Sequence, residues 1–269
     1  MKRELFYITV ALTMSACTAS RKMNNEQLSF APNPVVAHRG AWKSKQLPEN
    51  SIASLREAIA LKCTGSEFDI HRTADDSLVI NHDAAFFKLP IEKTDYATLT
   101  QHQLSNGEKL PTLREYLVAG LQNNTSTRLI LEIKPSAVSK ERGQETAARV
   151  VKLVEELNAK PMVAYISFDY AILKKVLQLD PKAHVQYLEA NQPPAQVKAD
   201  GMGGIDYHYS AFQQHPEWIQ QAKENKLVLN AWTVNDAEIM DWLLKSGFEM
   251  ITTNEPELLM QRFKAMNGK

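Results

Sequence analysis

The chain has 269 residues, 44% hydrophobic and 23% charged, with 31 Lys and Arg against 31 Asp and Glu. That is ample for one sizeable core, and a single α/β barrel of about 250 residues fits within it. The zero net charge and the lack of a long basic run argue against nucleic-acid binding, and two cysteines are too few for a disulfide-built fold.

The first feature in chain order is a targeting segment. Lys2 and Arg3 give a positive start, and residues 5–14 (LFYITVALTM) form an apolar run too short to span a bilayer. Met14-Ser-Ala-Cys17 follows. Small residues before a cysteine, directly after such a run, resemble the lipobox of bacterial lipoproteins, although the usual Leu three places before the cysteine is Met14 here. The resemblance implies that residues 1–16 are a signal peptide and that Cys17 is acylated. It also implies a lipid-anchored protein of the cell envelope, in the periplasm or at an outer-membrane face. Residues 17–32 then comprise the acylated cysteine and a polar, pattern-free tether, and residues 33–269 the folded domain. Removing 1–16 takes two positive charges and one negative, leaving −1, and with Cys17 acylated Cys63 is expected to remain as a free thiol without a disulfide partner. No second stretch is long and apolar enough to cross a membrane.

Beyond the tether, apolar runs alternate with amphipathic ones. Residues 35–38 read as a strand that ends in His38 and Arg39; Gly40 lets the chain turn, and Trp42 is expected to wall a binding site. Residues 50–62 read as a helix with Ile52, Leu55 and Ile59 on one face. Further strands are expected over 66–73, 78–83, 128–134, 162–168, 184–189, 203–209, 227–233 and 250–255. Helices are expected between most of them. Residues 140–158 carry Val150, Leu153, Val154 and Leu157, and 169–179 carry Ile172, Leu173 and Val176. Residues 235–247 start on a cap-type Asn235, with Glu238 three later, and stop at Gly247.

These nine strands are one too many for an eight-stranded barrel. Only four residues, ADDS, separate 66–73 from 78–83, far fewer than a parallel crossover needs, so those two must form a hairpin. The remaining eight suit a (β/α)8 TIM barrel with an extra β-hairpin. Residues 84–111 read as a long loop excursion after strand 2, on the face where such barrels carry their sites.

That face gathers chemistry. The strand ends bring up His38 and Arg39; Glu67 and Asp69; His82 and Asp83 on the returning hairpin; Glu132 and Lys134; and Trp232 with Asn235. Glu67 and Asp69, two apart, share one face of a strand. Three carboxylates in one mouth repel unless a cation joins them, and all-oxygen ligands favour Mg²⁺ or Ca²⁺ over zinc. Arg39 and Lys134 suit a phosphate, and His38 and His82 can move protons near neutral pH. Together they suggest phosphodiester cleavage. Each residue alone has an ordinary structural explanation; their common polarity in the barrel gives them weight. His184, His208 and His215 receive no role, and His102 lies in the excursion without a partner.

The segments AHRG, PENS, EFDIHRTADDSLVINHD, LEIK, NAWTVND and ITTNEPELL, in this order from about 35 to 260, resemble the glycerophosphodiester phosphodiesterase family. The resemblance implies a TIM barrel, one divalent cation, and hydrolysis of glycerophosphodiesters to an alcohol and sn-glycerol 3-phosphate. It implies Glu67, Asp69 and Glu132 as metal ligands, His38 and His82 as the catalytic pair, and Arg39 and Lys134 as phosphate contacts. It also implies that Glu49 of the PEN segment organises the site, while Trp232 is the expected substrate contact. The implied partners are a small-molecule substrate and, through the N-terminal lipid, a membrane; no obligate protein partner is evident. Three departures stand out. Asp75-Asp76 replaces the usual Asp-Gly of the hairpin turn, the segment after Asp83 lacks an Arg-Thr pair, and Asn254 stands where Asp is common. None is expected to touch the metal or proton-transfer groups. The alternatives are a phospholipase D-like or phosphoinositide phosphodiesterase on the same barrel, and a non-catalytic surface binding protein.

Overall fold

The short apolar runs become the staves of one closed sheet. The computed structural model describes residues 28–268, so Cys17 and the leader lie outside the described residues. In chain order the elements are β1 (Val35–Ala37), α1 (Ile52–Ala60), β2 (Gly65–Arg72), β3 (Leu78–Ile80), β4 (Ala85–Phe86), β5 (Leu89–Pro90), α2 (Tyr96–Leu99), α3 (Leu113–Leu121), β6 (Arg128–Ile133) and α4 (Lys140–Glu156). There follow β7 (Val163–Ser167), α5 (Tyr170–Leu179), β8 (His184–Tyr187), α6 (Pro194–Ala199), β9 (Gly204–His208), α7 (Tyr209–Gln214), α8 (Glu217–Glu224), β10 (Val228–Trp232), α9 (Ala237–Lys245), β11 (Met250–Thr253) and α10 (Pro256–Met266). Strands β1, β2, β6, β7, β8, β9, β10 and β11 pair in parallel, and β1 closes the ring by pairing with both β11 and β2. This is a TIM barrel.

The extra hairpin forms as its four-residue turn requires. Strand β3 runs antiparallel to β2, with Ile70 opposite Ile80 and Arg72 opposite Leu78. The strand ends at Ile80, so His82 stands on the loop beyond it. The turn keeps a glycine-like residue without a glycine. Asp76 adopts φ +67°, and ion pairs from Arg72 (2.9 Å) and Arg149 (2.8 Å) hold its carboxylate. Asp in place of Gly therefore leaves the left-handed turn intact.

The excursion builds a satellite core from Val79, Phe86, Ile91, Leu99 and Leu110. It is tied to the helices that leave the strand ends. Glu108 accepts the N–H groups of Ile52 and Ala53, adding to the Ser51 cap of α1, and Glu92 accepts from Ser136, Ala137 and Arg142 at the start of α4. His102 does find a partner there, stacking on Phe87 at 4.6 Å. One cap differs from expectation: Asp236, not Asn235, caps α9, and Asn235 instead accepts from Asn254 N–H and the Thr253 hydroxyl.

At the other end of the barrel the chain enters. Ser29 and Ala31 donate to the carbonyls of Thr125 and Ser126 ahead of β6, and Asn33 donates to Lys62 ahead of β2. Phe30 lies against the Arg128 guanidinium, 3.9 Å from the ring centroid. Val36, Ile130, Ala164, Ile166 and Leu188 fill the barrel interior, while a larger apolar core lies between strands and helices.

Candidate active site

The site begins where β1 stops. Arg39 has φ +58° and Gly40 φ +79°, so the chain folds back sharply after His38. A side chain at Gly40 would meet Ser54, whose Oγ lies 2.4 Å from the place a Cβ would take. The close approach is used, because the Ser54 hydroxyl and the Asn50 N–H both donate to the Arg39 carbonyl. The same turn aims the Arg39 N–H at Glu67 Oε2, 2.8 Å away.

Glu67 and Asp69 on β2 face Glu132 on β6, where Asp69 and Glu132 are register partners. One carboxylate oxygen from each lies within 4.8 Å of the others, and all three residues are buried. Burial, then the Asp69 and Glu132 charges, push Glu67 well above the usual carboxylate range. Burial and Asp69 push Glu132 up to about 7. Asp69 goes the other way: burial works against its charge, but Lys134 and Asn50 outweigh it and lower its pKa.

The Lys134 ammonium contacts Asp69 at 2.7 Å and Glu132 at 2.9 Å, so the residue expected on phosphate sits against two of the carboxylates. Burial disfavours its charge, yet those carboxylates prevail and raise its pKa. Glu67 Oε1 is buried without a hydrogen-bond partner. A cluster of three buried carboxylates, with one oxygen orphaned, fits a hard divalent cation bound by oxygen.

Two histidines open into the same cavity as Arg39, Glu67, Glu132 and Lys134. His38 Nε2 lies 3.9 Å from Glu67 Oε2, and its Nδ1 lies 2.8 Å from Asn254 Oδ1. The amide oxygen accepts from Nδ1–H, so the proton of the neutral ring sits on Nδ1 and the Nε2 lone pair faces the carboxylates. Burial, then Arg39, lower His38 to about 4. Asn254 therefore does touch a candidate proton-transfer group, contrary to expectation. His82 is 34% exposed, with Nδ1 2.8 Å from Asp83 Oδ1. Its backbone carbonyl is 3.2 Å from Nε2 of the largely buried His71.

Glu49 accepts from Arg39 Nη1 with both carboxylate oxygens at 2.9 Å. Asn50 brackets Asp69, donating to its Oδ2 at 2.8 Å and accepting from its N–H at 3.2 Å. The rest of the lining is Ile166, next to Glu132 on the neighbouring strand, with Phe168, Leu188, Trp232, Asp206 and Thr252. Trp232 meets Phe168 and His208 edge to face, at 5.4 and 5.1 Å. Trp42 is absent from this lining, so Trp232 supplies the wall expected of Trp42. His208 caps α7 through Ser210, His215 stacks on Trp218, and His184 sits at the start of β8. Asp206, His71 and the contacts of Asn50 and Asn254 went unnoticed in the sequence; Asn50, His71 and Asn254 lie inside the segments that carry the resemblance, and Asp206 does not.

The family profile that matches residues 38–258 is that of the glycerophosphoryl diester phosphodiesterase family. A glycerophosphodiester phosphodiesterase of Caldanaerobacter subterraneus is 30% identical over 240 residues, covering 84% of this chain and 96% of that protein. The structure is similar to that of a glycerophosphodiester phosphodiesterase from Parabacteroides distasonis, with a TM-score of 0.85, 37% identity, and coverage of 89% of this chain and 100% of that one. It is also similar to an Oleispira antarctica phosphodiesterase in complex with the product sn-glycerol-3-phosphate, with a TM-score of 0.74, 25% identity, and coverage of 86% and 96%.

Proposed function

The chain belongs to the glycerophosphoryl diester phosphodiesterase family and is a phosphodiesterase, and from that premise we propose a cation-dependent, two-histidine hydrolysis of glycerophosphodiesters to an alcohol and sn-glycerol 3-phosphate. The observation that carries the reading is the meeting of Glu67, Asp69 and Glu132 at a cavity that Glu67 and Glu132 line together with His38 and His82. Glu67, Asp69 and Glu132 would hold the cation, Mg²⁺ or Ca²⁺ by the all-oxygen donor set. When bound, it supplies positive charge for the phosphate oxygens and acidifies a coordinated hydroxyl or water.

His38 is the base. Its Nδ1 is committed to Asn254, and its Nε2 is neutral and turned toward the carboxylates, placed to take a proton from the attacking oxygen. The attacking oxygen belongs to a water or to the glycerol 2-hydroxyl. His82 is the acid. It reaches solvent, so it can return to its protonated form after giving a proton to the departing alkoxide. Arg39, held by Glu49, presents its remaining guanidinium N–H groups to the phosphate. Lys134 holds its charge against Asp69 and Glu132, beside the place where the cation would bind. A coupled assay for sn-glycerol 3-phosphate over several glycerophosphodiesters, with and without EDTA, tests this. Full turnover after exhaustive chelation would overturn the cation dependence.

We also propose that Cys17 carries a lipid that holds the enzyme at a membrane of the cell envelope. The apolar run ahead of Cys17 and the polar stretch behind it support this. Cys17→Ser should move the protein from the membrane to the soluble fraction on cell fractionation; unchanged membrane association would refute the anchor.

A further inference from the structure

Asp206 has no part in the chemistry described above. It stands on β9 on the far side of the cavity from the carboxylate cluster, 1% exposed, and lines the cavity with Trp232 and Leu188. Its Oδ1 is buried without a hydrogen-bond partner. The polar side chains nearby in the barrel bypass it: Asn230 donates to Gln186 and accepts from Thr252, both at 3.3 Å. Trp232 Nε1 bonds the backbone carbonyl of Asp206 at 2.9 Å and leaves the carboxyl alone.

An unpartnered buried carboxyl costs stability, and on a strand an apolar residue of like volume would avoid that cost. Such a group is kept when a ligand completes it. The cavity holds about 110 Å³, three or four waters at ~30 Å³ each. That is room for a small polar moiety beside Asp206.

Resting on the hydrolase reading above, we propose that Asp206 is a specificity-determining residue that hydrogen-bonds a hydroxyl of the substrate's glycerol moiety and selects a polyol over an alkyl group. The carboxyl can do this in either protonation state. A carboxylate accepts from the hydroxyl; the acid both donates and accepts. Burial, then Glu132, push Asp206 well above the usual range, which favours the acid. The apolar faces of Trp232, Phe168 and Leu188 would cover the carbon backbone, so the hydroxyl contact supplies the discrimination.

The test compares binding of sn-glycerol 3-phosphate and n-propyl phosphate, which lacks both hydroxyls, to the cation-loaded protein by calorimetry. The parent should prefer sn-glycerol 3-phosphate by about tenfold or more. Asp206→Val, of similar volume and suited to a strand, should bring the two affinities close together without lowering Tm. Asp206→Asn should keep the preference within about threefold. If Asp206→Val does not fold, Asp206→Ala carries the same comparison. A preference unchanged in the Val or Ala protein, or equal losses for both ligands, would overturn the proposal. So would a Tm lowered alike in the Asn and Val proteins, which would mark a structural role. Parent turnover of several glycerophosphodiesters is measured alongside. Its absence would sink the hydrolase reading, while the binding ratio still judges Asp206.

Discussion

His38 Nδ1 lies 2.8 Å from Asn254 Oδ1, which ties the end of the first barrel strand to the turn after the last, 216 positions away in sequence. Burial lowers His38 to about 4, so it is a neutral acceptor above that pH. Asn254→Asp would place a carboxylate against Nδ1–H and favour the imidazolium. The acidic limb of kcat/KM should therefore move to higher pH, while the Asn254→Ala limb should not. Asn254→Ala should instead lower kcat by about tenfold or more by freeing the ring to turn. A pH–rate profile separates the two, and identical profiles for all three proteins would show that the contact does not set the histidine.

The carboxylate cluster predicts a stability response as well as an activity response. Ligand at a hundred times its dissociation constant should stabilise the folded protein by about 2.7 kcal/mol. Thermal unfolding should thus shift upward with Mg²⁺ or Ca²⁺. Glu67→Gln keeps the shape and removes charge from a residue with an orphaned oxygen. It should fold normally, lose the cation-dependent rise in Tm, and lose turnover. A Glu67→Gln protein that still responds to cation would exclude Glu67 as a ligand.

The two histidines should fail together. His38→Ala and His82→Ala should each lower kcat by about 10²–10⁴, the usual range for general acid–base catalysis. The double variant should lose far less than the product of the two, because both act in one proton-transfer sequence. Multiplicative losses, or near-normal hydrolysis by either single variant, would contradict the pairing.

Gly40 predicts a folding defect with a local cause. At φ +79°, with Ser54 Oγ and the Ser54 backbone carbon 2.4 and 2.7 Å from a new Cβ, Gly40→Ala meets both backbone strain and a clash. The strain alone costs about 1–2 kcal/mol. Chemical denaturation should show at least that loss. A companion Ser54→Gly should recover part of it, since it removes the hydroxyl but not the backbone contact.

Much of this site could be read from strand ends. Glu67, Asp69 and Glu132 sit at barrel positions of one polarity, and the four-residue turn before Leu78 allowed only a hairpin, which carries His82 back over the mouth. The parts missed are those where local pattern and distant contact disagree. Asn235 looks like a helix cap, but Asp236 takes the cap, and Asn235 accepts from the Thr253 hydroxyl and the Asn254 N–H at the end of the neighbouring strand. Asp206 reads as one acid in an ordinary strand, and only closure of the ring turns it toward the cavity. Trp42 and Trp232 are equally plausible walls in sequence, and the register of β10 decides for Trp232.

The place where the chain enters the barrel has a consequence for traffic. Ser29, Ala31 and Asn33 are laced to the N-terminal ends of the strands, while His38, His82 and the carboxylates open at the opposite ends. A lipid on Cys17 would be joined to Leu28 by eleven residue steps, a reach of at most roughly 36–40 Å. With the proposed lipid in place, the floor of the barrel would be held nearer the bilayer than the mouth. The enzyme would then stand with its back to the membrane, fed by water-soluble diesters already stripped of their acyl chains.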